Sequence, residues 1–235
     1  MKKIKKVLAI LPARGGSKRI KKKNIKIFNG KPMIYWSLKI LIKSKLFDKI
    51  IVSTEDQKIK KLSLKFGANV IIERPKKLSG DFVGTQEIIN HSIKHLENQN
   101  FKFDYVCCVY PCSPFLQISD LKKAAKIAYT NDKFVFPVLE YSHPIQRAMY
   151  QRKNKDLHFI NKRNEKKRTQ DLRKTFHDAG QFYFAKKKIW MSSKKMHSYA
   201  KGIVIPNWRA IDIDNTNDWI RAQKISKYLT NSKKY

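Results

Sequence analysis

Short aliphatic runs alternate with helical periodicity along the first 138 residues of the chain. Lys5–Leu11 (KKVLAIL) reads as a buried strand ended by Pro12. Pro32 then opens a helix through about Ser44, with Ile34, Leu38, Leu41 and Ile42 on one face. Lys49–Ser53 reads as a second strand, and residues 56–66 as a helix stopped by Gly67 in the C-terminal cap position. A third strand follows at Asn69–Ile72. A helix through Ile88, Ile89, Ile93 and Leu96 precedes a strand at Tyr105–Val109. Another helix, carrying Leu121, Ala124, Ala125 and Ala128, precedes one at Phe134–Val138.

This alternation predicts an α/β fold, a mainly parallel sheet with helices on both faces. In such sheets the ligand lies beyond the carboxyl ends of the strands, and the first such end leads into ILPARGGSKRIKKKNI (residues 10–25). From about Glu140 to Lys174 the periodicity stops in a charged stretch containing HPIQRA (143–148). It reads as a small protruding arm on a single 1–235 domain and suggests a dimer contact. The core resumes at GQFYF (180–184) and GIVIP (202–206), and a final helix follows Asn215.

Composition narrows the classes. A hydrophobic content of 42% with 11% aromatics excludes a disordered polar chain. No apolar stretch approaches the roughly 18 residues of a membrane span. The N-terminal apolar core, Val7–Leu11, is too short for a signal peptide and runs straight into a charged loop, so no export is expected. Cys107, Cys108 and Cys112 offer neither metal spacing nor an even disulfide count, and the adjacent pair would point to opposite faces of a strand; a reducing cytoplasm fits. The 52 basic residues outnumber the 18 acidic ones, giving +34. Such an excess attracts phosphate, nucleic acid and anionic lipid non-specifically. The lysines are dispersed, however, without the face or stripe that specific nucleic-acid binding needs.

The basic loop matches neither G-x-x-x-x-G-K-[ST] nor G-x-G-x-x-G, which excludes the P-loop and dinucleotide readings on spacing. It does place Gly15, Gly16 and Ser17 beside Arg14 and several lysines at a strand end, parts from which a phosphate cradle can be made. Composition alone leaves a lysine-rich surface turn equally open. Asp212 and Asp214, two residues apart in IDID, would share one face of an extended segment and suit a hard cation; a helix cap near Asn215 is the plainer alternative. Arg147 and Arg168 could each fork a substrate carboxylate. His91 and His95 stand at i, i+4 without a third ligand and read as structural.

The stretch from Ala13 to Asn24 resembles the A-R-G-G-S-K-x-x-x-x-K-N signature of the CMP-sugar synthetases, the acylneuraminate cytidylyltransferase family. IIVSTEDQKI (50–59), RPKKLSGD (74–81) with Thr85, CSPFL (112–116) and AIDIDNTNDW (210–219) follow in the family's order. HPIQRA and RTQDLRKTFHDAGQFYF (168–184) are more similar to the pseudaminic acid branch than to the sialic acid enzymes, which tend to carry Asn at the place of Ala179 and Gln at that of Tyr110. The resemblance implies a Rossmann-like fold of the nucleotide-diphospho-sugar transferase type. It also implies coupling of CTP to a nine-carbon sugar acid, with release of pyrophosphate by a cytoplasmic homodimer. Arg14, Gly15, Gly16, Ser17, Lys18, Lys23, Asn24, Arg74 and Thr85 would then form the nucleotide pocket. Asp212 and Asp214 would hold Mg²⁺ and join Arg14 and Lys23 in catalysis. Tyr110, Arg168, Gln170, His177, Asp178 and Gln181 would face the sugar. CMP-sialic and CMP-legionaminic acid synthesis are the neighbouring alternatives, and a basic nucleic-acid-binding protein is the alternative of another class.

Overall fold

The computed structural model describes residues 5–231. β1 (Val7–Pro12) is buried on both faces until its last residue, as its unbroken aliphatic sequence requires of a central parallel strand. A basic loop then leads to a two-residue hairpin, β2 (Ile27–Phe28) and β3 (Lys31–Pro32). Its turn residues Asn29 and Gly30 both have positive φ, 47° and 77°, the signature of a type I′ turn. α1 (Met33–Ser44), β4 (Lys49–Thr54) and α2 (Gln57–Lys65) follow. Asp56 caps α2 by accepting from the backbone N–H groups of Lys58 (2.7 Å) and Ile59 (2.9 Å). Gly67 stands after the helix at φ 93°. β5 (Val70–Glu73), α3 (Thr85–Asn98), β6 (Tyr105–Val109), α4 (Ile118–Tyr129) and β7 (Phe134–Glu140) complete the alternating half.

Beyond β7 the chain leaves the sheet. β8 (Met149–Gln151) and β9 (Leu157–Phe159) pair only with each other, in an arm whose Tyr141, Ile145, Met149, Tyr150, Leu157 and Ile160 are exposed. The chain returns through β10 (Phe176–Asp178), β11 (Phe182–Lys186), the single turn α5 (Lys187–Trp190), β12 (Ala200–Val204) and α6 (Thr216–Asn231).

β5, β4, β1 and β6 lie side by side and parallel. β11 inserts antiparallel between β6 and β7, and β12 joins the far edge of β7 in parallel. β10 pairs with the same edge of β7 as β11 does, so the two are halves of one antiparallel strand broken at Ala179–Gly180. Alternate residues of β1 serve opposite cores. Val7, Ala9 and Leu11 pack with α1 and α4, while Leu8 and Ile10 pack with α3 and α5. Cys107 and Cys108 divide between those two cores in the same way, both fully buried. A third cluster, with Ile20, Phe28, Met33, Ile211, Ile213 and Trp219, ties α6 and the β2–β3 hairpin to the sheet's carboxyl end.

Candidate active site

Chain order reverses between β1 and β6, because β4 and β5 extend the sheet to one side of β1 and the later strands to the other. That reversal opens a crevice at the carboxyl ends, and a cleft of about 340 Å³ lies there. Arg14, Ser17, Lys18, Lys23 and Asn24 line it from the loop after β1. Arg74 and Thr85 line it from the chain around α3, Tyr110 and Cys112 from the chain after β6, and Asp212 and Asp214 from the chain before α6.

The loop after β1 is fixed by its backbone. Ala13 N–H donates to the Ser53 carbonyl (2.9 Å), and Gly15 N–H to Glu55 Oε1 (2.6 Å). A Cβ on Gly15 would stand 2.5 Å from Asp56 Oδ2 and 2.8 Å from Asp56 Cβ. Since Asp56 is locked as the α2 cap, only glycine fits. Gly16 faces open space. Asn24, buried in a single turn of 3-10 helix (Lys23–Ile25), donates from Nδ2 to the Arg14 carbonyl (2.8 Å) and accepts from Cys112 Sγ (3.1 Å). Burial pushes the Cys112 thiol up to about 12, so it stays protonated as that donor.

The loop's cations converge on two carboxylates. Arg14 and Lys18 (2.6 Å) both bond Asp81, and these bonds, Lys18's first, hold the Asp81 carboxyl below its ordinary range. Arg19 reaches Asp214 Oδ2 (2.9 Å). Lys23 donates to the Ile213 carbonyl (2.6 Å) and lies 3.6 Å from Asp214 Oδ1. Arg74 is buried, with Nη2 on the Ser53 carbonyl (2.7 Å) and Nε on Ser53 Oγ (3.3 Å). Withdrawal from water lowers its pKa and the Glu55 charge opposes that, so a guanidinium stays poised at the cleft wall. Thr85 Oγ1 and the Tyr110 hydroxyl share a 2.7 Å hydrogen bond, and burial raises the Tyr110 phenol to about 12.

IDID runs extended without joining a sheet. Ile211 and Ile213 point into the core, which turns Asp212 and Asp214 together toward the cleft. The cap of α6 falls instead to Asn215 and Asp218. Asp218 Oδ2 accepts from the N–H groups of Asp214 and Asn215 (3.0 Å each), and Asn215 Oδ1 accepts from Asp218 N–H (3.0 Å). Asp212 remains outside that cap. By area its side chain is exposed, yet the cleft walls withhold enough water that desolvation raises its pKa, with the Asp214 charge adding and Lys23 and Arg19 opposing. It sits over Gly180, 3.7 Å from where a Cβ there would be; that glycine has φ 62° at the break between β10 and β11.

Asp212 also lines a second cleft, of about 350 Å³. Its other walls include Glu140, Tyr141, His177, Asp178, Asp218 and Arg221. Asp178 is held from three sides: Gly180 N–H to Oδ1 (2.8 Å), and the Tyr183 hydroxyl (2.5 Å) and His197 Nε2 (2.7 Å) at Oδ2. Burial pushes the Tyr183 phenol well up, so it remains the donor. His177 packs on Tyr141, with ring centroids 4.8 Å apart.

Of the residues expected at the sugar, Tyr110 lines the first cleft and not the second, and three more line neither. Gln181 is buried, lines neither cleft, and donates to the Arg209 carbonyl (2.6 Å). Arg168 and Gln170 lie in the arm, where Arg168 pairs with Asp171 at 3.0 Å. Residues at the site that were not anticipated include Glu55, Asp56, Asp81 and Arg221. The acids had a signal, since they follow strand ends in a chain poor in acids. Arg221 had none, as one more cation on a basic helix. The ring centroids of His91 and His95 are 6.4 Å apart, and no group of three or more metal-ligating side chains occurs among the described residues.

Phosphate-seeking cations on one side, a separate polar cleft on the other and a carboxylate common to both describe an enzyme that moves a nucleotide onto a second substrate. Residues 8–230 match the cytidylyltransferase family, and the chain belongs to it. It is a CTP-dependent nucleotidyltransferase. The chain is 40% identical over 215 residues to the pseudaminic acid cytidylyltransferase of Campylobacter jejuni subsp. jejuni, covering 90% of this chain and 92% of that one. It is 24% identical to the N-acylneuraminate cytidylyltransferase of Escherichia coli, over 91% of this chain and 50% of that one. Among solved structures, a CMP:2-keto-3-deoxy-manno-octonic acid synthetase complexed with CTP superposes with a TM-score of 0.70 over 95% of this chain and 99% of that one. At 13% identity that likeness speaks for the fold, a Rossmann-like mixed sheet. No helix among the described residues is long and apolar enough to cross a membrane.

Proposed function

We propose that this enzyme couples CTP to pseudaminic acid, releasing pyrophosphate and the CMP-sugar. The observation that carries the reading is the pair of clefts meeting at Asp212, in a chain 40% identical to a pseudaminic acid cytidylyltransferase. The first cleft takes the nucleotide. Arg14, Lys18 and Lys23 meet the triphosphate, Gly16 and Ser17 give backbone approach, and Arg74 with Thr85 closes the far wall. The second cleft takes the sugar acid, with Asp178 and His177 facing it, while Tyr110 stays on the wall of the first. The anomeric hydroxyl oxygen attacks the α-phosphorus and loses its proton, the bond from the α-phosphorus to the bridging oxygen breaks, and pyrophosphate leaves. The protein's work is alignment and charge stabilisation.

Mg²⁺ fits the donor set. Asp212 and Asp214 are hard oxygen donors turned to one side, and the Asp212 carboxyl is raised by desolvation and then by the Asp214 charge, both of which a divalent cation would offset. Bound there, the ion would neutralise phosphate charge and assist deprotonation of the hydroxyl. The exposed apolar side chains of the arm support docking on a second copy, which would also give Arg168 and Gln170 a surface to meet. A cytoplasmic enzyme would meet CTP where the cell makes it.

The test is pyrophosphate release from CTP and Mg²⁺, with pseudaminic, legionaminic, sialic and ketodeoxyoctonic acids offered separately. Turnover confined to pseudaminic acid is the expected result. Turnover with another acid alone would replace the substrate, and none with any would overturn the reading.

A further inference from the structure

The second cleft presents a charge conflict. Glu140, Asp178, Asp212 and Asp218 all line it, in a chain with only 18 acidic residues. The acceptor proposed above is itself a carboxylic acid. In a 2-keto sugar acid the carboxylate carbon is bonded to the anomeric carbon that bears the attacking hydroxyl. The anion therefore has to enter the end of the cleft where Asp212 sits.

Three of the four acids are already engaged. Lys174 pairs with Glu140 at 3.1 Å, Tyr183 and His197 hold Asp178, and Asp218 caps α6. Among the described residues that line it, Arg221 carries the one guanidinium or ammonium group. It is exposed and has no hydrogen-bond or ion-pair partner among the described residues. Its direction is fixed by the helix. The Asn215–Asp218 cap sets where α6 begins, and burial of Trp219 and Ala222 sets its rotation, which leaves position 221 toward the cleft.

We infer that Arg221 receives the sugar carboxylate and so turns the anomeric hydroxyl toward the first cleft. A guanidinium fork meets a carboxylate with two parallel N–H···O bonds, which fixes orientation as well as charge. Arg221 is in this respect a specificity residue, selecting a free carboxylate over a neutral sugar. The inference rests on the proposed acceptor being a nonulosonic acid.

The experiment compares wild type, Arg221→Ala, Arg221→Lys and Arg168→Ala in pyrophosphate release, with pseudaminic acid and with its C1 amide. Arg221→Ala should raise the sugar KM about ten- to hundredfold, leaving the CTP KM and Tm unchanged. Arg221→Lys should recover part of the loss, and with the amide wild type and Arg221→Ala should behave alike. An unchanged sugar KM, a parallel rise in the CTP KM, or loss of acid–amide discrimination in Arg168→Ala alone would each overturn the inference. If wild type turns over no nonulosonic acid, the proposed function is what fails. Calorimetric titration with pseudaminic acid then still decides the matter: binding that disappears in Arg221→Ala supports the inference, and no binding to wild type overturns it.

Discussion

The two clefts on either side of Asp212 are built by opposite means. The first is made of strand ends and the loops they release, and its loop is held through its own backbone groups: Ala13 N–H to the Ser53 carbonyl, Gly15 N–H to the Glu55 carboxylate, and Asn24 Nδ2 to the Arg14 carbonyl. The second is made of irregular chain around β10, the segment before α6 and the first turns of α6. Its side chains are held by one another, as Asp178 is by Tyr183 and His197. On the proposed assignment of the clefts, handling of the nucleotide is tied to the topology of the sheet, while recognition of the acceptor is tied to side chains that can be exchanged without moving a strand. Disturbing the first cleft should damage stability and CTP use together; disturbing the second should change acceptor use alone.

Asp212 belongs to both and gives the largest expected effect. Asp212→Asn should lose about a hundredfold or more in kcat, the size of a lost transition-state charge contact, in a protein that still folds. Its stability should even improve slightly at neutral pH. The carboxyl is raised in the folded state, so the folded protein holds the proton more tightly than the unfolded chain does. Wild-type stability therefore falls as pH rises from the ordinary carboxylate range through the raised folded value, and the variant escapes that loss. Thermal melts of both proteins across that window test the sign; a variant that melts lower at neutral pH would show that Asp212 is held by contacts rather than strained by desolvation and the Asp214 charge.

The neighbouring glycines separate backbone fit from phosphate approach. Gly15→Ala places a methyl against the locked Asp56 and should destabilise by about 1–3 kcal/mol, with a higher CTP KM. Gly16→Ala meets open space and should leave Tm within about 1 °C. A raised CTP KM in Gly16→Ala without a change in Tm would mark the place where phosphate comes closest. Equal melting of the two variants would break the account of Gly15.

The smallest effect belongs to the second cleft. His197 is exposed, bonds Asp178 and packs its ring on Tyr183 and Phe136, so His197→Ala should change stability by about 1 kcal/mol or less. It should raise the acceptor KM several-fold and leave the CTP KM alone. An equal rise in both values would mean that the clefts are not independent.

Legibility in the sequence follows the same division. The strands of the alternating half could be placed to within two residues, because a parallel strand buried on both faces is a bare aliphatic run. The loop after β1 could be located because strand order determines where ligands bind. The β2–β3 hairpin went unread although Asn29-Gly30 is a strong local signal; its strands are too short to show any alternation. IDID has strand periodicity but no strand partner, which sequence cannot distinguish from a strand. The β11 boundary was placed two residues early, since Gly180 adopts a left-handed conformation and delays the pairing. Gln181 was expected at the sugar but is buried and lines neither cleft, because that same break sets which way each following side chain points. Arg221 was invisible because its function depends on a helix rotation set by Trp219 and Ala222.

The break at Ala179–Gly180 has a consequence for engineering. The strand on one side of it, β11, is clamped between β6 and β7, whereas the backbone of β10 pairs with β7. The glycine is a joint between a fixed beam and an exchangeable tip. Residues 176 and 177 could be transplanted from a relative with a different acceptor, and the joint would absorb their misfit, whereas Asp178, bonded to Tyr183 of β11, belongs with the beam.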